Sequence, residues 1–160
     1  MSEHRAVAPL KTEFADAVLD VVEFRGETTV TVKKEQIVEV CTFLKKELGF
    51  NFLTDLCSVD YLGQDPRFMV VYQLYSIDKN DRLRIKAPVA ETDARIETVT
   101  CVWQTANWLE RECWDLMGIE FVNHPDPRRI LMPADWEGHP LRKDYPVQGP
   151  DREPYQGRLS

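Results

Sequence analysis

The chain has 160 residues with 20 Lys+Arg against 27 Asp+Glu, a formal net charge of -7. That length sets the expectation at one compact domain with an appended arm, and the acidic balance argues against a general nucleic-acid binder. At 43% apolar residues the chain can fill one core, yet no uninterrupted apolar run approaches the ~20 residues needed to cross a bilayer.

The opening MSEHRAVAPLKTEF lacks the apolar stretch of a secretory signal, and a cytosolic location is expected. Leu10, Phe14, Val18 and Val21 recur at three and four, which predicts a short amphipathic helix ended by Gly26. TTVTV at 28–32 alternates β-branched residues and reads as a strand. Ile37, Val40, Cys41, Leu44 and Leu48 form one helical stripe, with Gly49 placed for a left-handed cap. Three β-rich runs follow at 51–61, 68–76 and 82–89. The turns between them, GQDP and DKND, are short enough to make neighbours antiparallel. A last helix is predicted from Thr98 to Met117, interrupted near Asn107 and stopped by Gly118. The expected class is α+β, a small, mostly antiparallel sheet covered by helices, followed by an extended proline-rich C-terminal arm.

The composition breaks near Phe121. Seven of the ten prolines lie in the last 40 residues, and proline forbids a long helix or a central strand there. Residues 1–120 carry 14 basic and 21 acidic groups, hence all of the -7, while 121–160 carry six of each. The chain thus divides into a domain at 1–120 and an arm at 121–160. The arm displays Phe121, Trp136, Leu141 and Tyr145, and has few contacts within itself to offset the entropy of ordering. Either it wraps its own domain or it lies across another subunit with these groups as anchors. A binding arm that needs a foreign surface is the better fit.

Catalytic constellations are scarce. GxGxxG, GxxxxGK[ST], GxSxG and HExxH are all missing, and the four cysteines at 41, 57, 101 and 113 show no CxxC spacing and read as structural. Two dense segments remain. In Asn107–Gly118, the carboxylates among Glu110, Arg111, Glu112 and Asp115 are either paired for acid–base work or anchors for the following arm. The structural role is the commoner one for carboxylates beside an arginine. In 123–146, His124, His139, Asp126 and Asp144 are the residues a divalent metal would use, as in a small metal-dependent hydrolase. Each histidine precedes a proline (Pro125, Pro140), however, which fixes an extended turn in place of a helical ligand pair. Arg128 and Arg129 offer paired guanidinium forks for carboxylates or phosphates.

The run ERECWDLMGIEFVNHPDPRRILMPADWEGHPLRKDYP, Glu110 to Pro146, resembles the signature of the C subunit of respiratory complex I, the proton-pumping NADH:quinone oxidoreductase. Its elements include Gly118, His124-Pro125-Asp126, Arg128-Arg129 and the closing His139-Pro140-Leu-Arg142-Lys143-Asp144. FLTDLCSVDY at 52–61 adds to the likeness, which spans residues 10 to 150. Asn123 replaces a usual Gly and Pro127 a common Leu; Asn tolerates left-handed geometry, so the turn is expected to survive. The resemblance implies a cofactor-free peripheral-arm subunit at the cytoplasmic face of the bacterial inner membrane. Its implied partners are the quinone-site subunit and the subunit carrying the terminal cluster, with FMN, iron–sulfur clusters and quinone all held elsewhere in the complex. A homologous subunit of a membrane-bound hydrogenase or another quinone-reducing dehydrogenase is the nearest rival.

Overall fold

The computed structural model describes residues 3–148 of the chain. In chain order its elements are α1 (Val7–Glu13), β1 (Val18–Phe24), β2 (Glu27–Val32), α2 (Ile37–Lys46), β3 (Phe52–Asp60), β4 (Phe68–Ser76), β5 (Asp81–Val89), β6 (Arg95–Glu97), α3 (Ala106–Met117) and β7 (Glu120–Val122). Five strands form one sheet in the order β1-β2-β5-β4-β3, and β6 pairs with β7 in a second, two-stranded sheet. Neighbours in the main sheet are antiparallel except β2 and β5, which run parallel. That parallel pair needs a long crossover, and α2 with the β3–β4 hairpin supplies it. Among the described residues no helix is long and apolar enough to cross a membrane.

One face of the sheet carries the core. Val30 and Val32 of β2, Ile85 and Ala87 of β5, Val70, Tyr72 and Leu74 of β4, and Leu53 and Leu56 of β3 are buried. They join Val7 and Leu10 of α1, Ile37, Val40, Cys41 and Leu44 of α2, and Cys113 and Met117 of α3. Tyr72, Phe50 and Phe68 are among the largest fully buried side chains. Deleting buried side chains of this size leaves cavities worth several kcal/mol, so this layer holds the fold.

The first expected helix is corrected. Only residues 7–13 are helical, and Val18 and Val21 belong to β1, where they pair with Val32 and Val30. The register shifts between Val18 and Asp20, and a bulge of that kind puts residues three apart on the same face. It imitates helical spacing. The last helix is shorter than expected as well. Residues 98–105 make turns through Val102 N–H and Trp103 N–H to the Val99 carbonyl, and the β-branched run Thr98-Val99-Thr100 suits that better than a helix. β6 and β7 have three residues each, too few for any alternation to show. The composition break at 121 falls inside β7, so Phe121 is a buried core residue and not an arm anchor.

Candidate functional site

Most of the signature residues gather around the C-terminal half of α3. A helix leaves its last four carbonyls without intrahelical partners, and the segment that follows α3 turns back to supply them. Gly118 N–H reaches the Trp114 carbonyl at 2.8 Å, and Leu141 N–H reaches Leu116 O at 3.0 Å. Arg142 Nε donates to Met117 O at 2.7 Å. The Asp115 carbonyl accepts from Arg129 Nη1 at 3.1 Å and from His139 Nδ1 at 3.0 Å, so the proton of that neutral ring sits on Nδ1. Two guanidinium cations, Arg129 and Arg142, thus face the negative end of the helix dipole. Burial holds the His139 imidazole below its ordinary pKa, which keeps the ring neutral in this contact. Gly118 has φ of +73°, and a Cβ there would lie 2.5 Å from His139 Cδ2, so no larger residue fits without moving the ring.

Asp115 is the hub. Its carboxylate is fully buried, and Oδ2 accepts three successive backbone N–H groups, from Ile130 (3.0 Å), Leu131 (2.8 Å) and Met132 (2.9 Å). Oδ1 takes the Arg129 guanidinium, whose other arm reaches the carbonyls of Trp136 and Gly138. Burial alone would raise this carboxyl; the Met132, Leu131 and Ile130 amides and Arg129 outweigh it and hold the pKa below the usual value. Four charge-assisted bonds on one buried carboxylate make a rigid knot.

A second tie lies one turn upstream. Arg111 donates from Nε to Arg128 O at 2.9 Å and from Nη2 to Arg129 O at 3.0 Å, with Nη1 3.3 Å from Asp126 Oδ2. Asp126 in turn holds exposed Arg128 through both carboxylate oxygens. Pro127 pinches a tight turn in which Arg128 N–H meets Asp126 O at 2.9 Å. Asn123 has φ of +62°, the left-handed geometry expected where a Gly is usual.

Glu110 faces inward. It is fully buried, accepts Val99 N–H at 2.8 Å and the Thr98 hydroxyl at 2.5 Å, and so anchors the turns before α3 rather than the segment after it. His124 Nε2 lies 3.7 Å from Glu110 and 3.1 Å from Asn107 O, while its Nδ1 accepts Asp126 N–H. Burial lifts the Glu110 carboxyl to about 7 despite the Thr98 and Val99 bonds. Its folded value exceeds its unfolded one, so it favours the fold below pH ~4.5 and loses that advantage as pH rises through about 7. Chain stability should fall by about 3 kcal/mol across that window, and Glu110→Gln should flatten the change. Thermal melts from pH 4.5 to 7.5 check this.

Sequence reasoning missed a third cluster. Arg67, just before β4, is buried and grips Asp60 with both Nε and Nη2 at 2.9 Å. It also contacts Glu91 and Asp144, and Asp60 accepts Lys143 N–H at 2.8 Å. Arg67 and Arg142 each stack on the Phe68 ring, with Cζ to centroid distances of 5.0 and 5.2 Å. These contacts pin the far end of the segment to the sheet. The only hint in the sequence is an Asp and an Arg flanking one hairpin loop, and nothing in that pattern announces burial.

The other candidates are not brought together. His124 sits against Asn107 and His139 against Gly118, each with a backbone partner, and among the described residues no three His, Cys, Asp or Glu side chains are placed to hold a metal. Glu112 is exposed without an ion pair among the described residues. Pro125 and Pro140 shape turns, and Lys143 contributes its backbone amide. The expectation that the guanidinium groups need a foreign surface is corrected, because Arg111, Arg129 and Arg142 all find acceptors on the chain itself.

The match to known proteins takes in both the sheet from β2 onward and this knot. Residues 30–151 fit the model of the respiratory-chain NADH dehydrogenase 30 Kd subunit. The NADH-quinone oxidoreductase C subunit of Geotalea uraniireducens is 68% identical over 98% of this chain and 96% of its own length. The protein of that name from Geobacter sulfurreducens is 66% identical over 98% of each. A solved trypsin-resistant fragment of Nqo5 is 35% identical with a TM-score of 0.68, covering 77% of this chain and 99% of the fragment. The fold, but no closer relation, is shared with a chain of an archaeal membrane-bound sulfane sulfur reductase at 21% identity and a TM-score of 0.75, covering 89% of this chain and 84% of that one. The chain belongs to the 30 kDa subunit family of respiratory NADH dehydrogenases, and these bacterial relatives, matched along nearly its whole length, are C subunits of NADH-quinone oxidoreductase.

Proposed function

We propose that this chain is a peripheral scaffold subunit of a membrane-bound NADH:quinone oxidoreductase, holding no redox group itself and bracing the subunit that reduces quinone. One observation carries the reading. The segment after β7 is fastened to its own helix by polar ties, while Leu131 and Leu141 are left outside, 60% and 57% exposed. Ordering the backbone in advance lowers the entropy cost of docking, so these side chains are presented as ready anchors. Arg128, exposed and held by Asp126, supplies a fork that sets register on a partner carboxylate.

The expected partners are the quinone-site subunit and the terminal-cluster subunit, on the cytoplasmic face of the inner membrane. FMN and iron–sulfur clusters in other subunits carry electrons from NADH to quinone, coupled to proton translocation. This chain contributes position. The double change Leu131→Asp with Leu141→Asp alters only exposed groups, so melting of the isolated chain should move little. Its recovery with the complex purified from native membranes should drop roughly tenfold or more, as expected for lost interface anchors. Full recovery of the double variant would overturn the reading.

A further inference from the structure

The main sheet has two margins of different character. At one, β3 is sheltered by α3, with Cys113 Sγ lying 4.0 Å from the Leu56 carbonyl. At the other, β1 is paired only to β2 among the described residues. The Phe24–Glu27 pair closes a hairpin over Arg25 and Gly26, so Phe24, Val22 and Asp20 bond across to β2. By antiparallel alternation the peptide groups of Val21 and Glu23 then point away from the sheet. Val21 N–H agrees, being taken by the chain's own Asp20 carboxylate at 2.9 Å and not by β2.

This margin is unusually apolar for a bare edge. Leu19, Val22 and Phe24 are 50%, 46% and 65% exposed. A groove of about 450 Å³ runs beside the strand, bounded by Lys11, Ala15, Val18, Leu19, Asp20 and Val21. A long edge with unpaired peptide groups and exposed apolar side chains is a template for another strand. Its charge narrows the choice of occupant. Asp20 lines this groove and Glu13, Asp16 and Glu23 flank it along the chain, none with a cationic partner among the described residues. Lys11 in the groove is already taken by Glu3. A second copy would bring the same excess of unpaired carboxylates to the contact, whereas a strand bearing Lys or Arg would pair with them.

We propose that the β1 edge accepts an added strand, an extended Lys/Arg-bearing segment of a neighbouring subunit. The proposal rests on the reading of this chain as part of a multisubunit oxidoreductase. The incoming carbonyl replaces Asp20 at Val21 N–H and frees that carboxylate for a basic side chain. Asp20, which guards the edge in the free chain, becomes a recognition group in the complex.

Hydrogen–deuterium exchange of the isolated chain and of the purified complex tests this. The Val21 and Glu23 amides should exchange at least tenfold more slowly in the complex. The double variant Asp20→Lys with Glu23→Lys should lose that protection while the amides of 130–132 keep theirs. A photoactivatable residue in place of Val22 should crosslink to a basic segment of another subunit. Equal β1 exchange in both states, or crosslinks to a second copy or to lipid, would overturn the proposal. A chain missing from the purified complex would instead sink the function it rests on.

Discussion

Asp115→Ala should destabilise the chain by about 3–5 kcal/mol, because it strands three backbone donors and the Arg129 guanidinium around an emptied site. For a chain of this size that is a fall of about 10 °C or more in melting temperature. The loss should begin at residues 130–132, whose amides the carboxylate holds, before it reaches the sheet. Asp115→Asn keeps one carbonyl oxygen but no charge, so it should fall between wild type and alanine. Differential scanning calorimetry of the three proteins checks the order. An alanine variant that melts like wild type would mean that the carboxylate does not organise the segment.

The second large effect is expected at Asp60. Arg67 is buried against it, and a buried guanidinium deprived of its bidentate partner costs more than the pair gains. Asp60→Ala should cost about 3 kcal/mol, because Arg67 then keeps only two exposed carboxylates, Glu91 and Asp144. The paired change Asp60→Leu with Arg67→Met should cost appreciably less, because no buried charge then remains. The bond from Arg67, together with Lys143 N–H, holds the Asp60 carboxyl at about 2 against burial. Its folded pKa lies below the unfolded value, so its contribution is complete above pH ~4 and is lost as pH falls toward 2. The amount is about 2 kcal/mol. An acid titration followed by tryptophan fluorescence should show that loss in the wild type and not in the paired variant.

Much of the fold is legible in the sequence alone. The strands at 52–60, 68–76 and 81–89 announce themselves by β-branched and aromatic runs between turn residues, and α2 by its single apolar stripe. β1 is not legible, because its bulge gives Val18 and Val21 the spacing of a helix. The site is half legible. The ordered pattern from Glu110 to Asp144 names the residues, and the choice between acid–base chemistry and anchoring for Asp115 falls to anchoring. What sequence does not reveal is direction. A guanidinium fork fits an acceptor on its own chain as well as one on a neighbour, and only packing shows that Arg111, Arg129 and Arg142 turn home while Leu131 and Leu141 turn out. Asp60 and Arg67 stay hidden for the same reason, since burial of an ion pair leaves no periodic trace.

The most direct measurement is hydrogen exchange at the amides of Ile130, Leu131 and Met132 in the chain purified by itself. If the segment is already tied down through Asp115, these three exchange slowly without any partner and become fast in Asp115→Ala. Exchange at the rate of an open chain, slowing only once other subunits are bound, would contradict a segment fastened in advance.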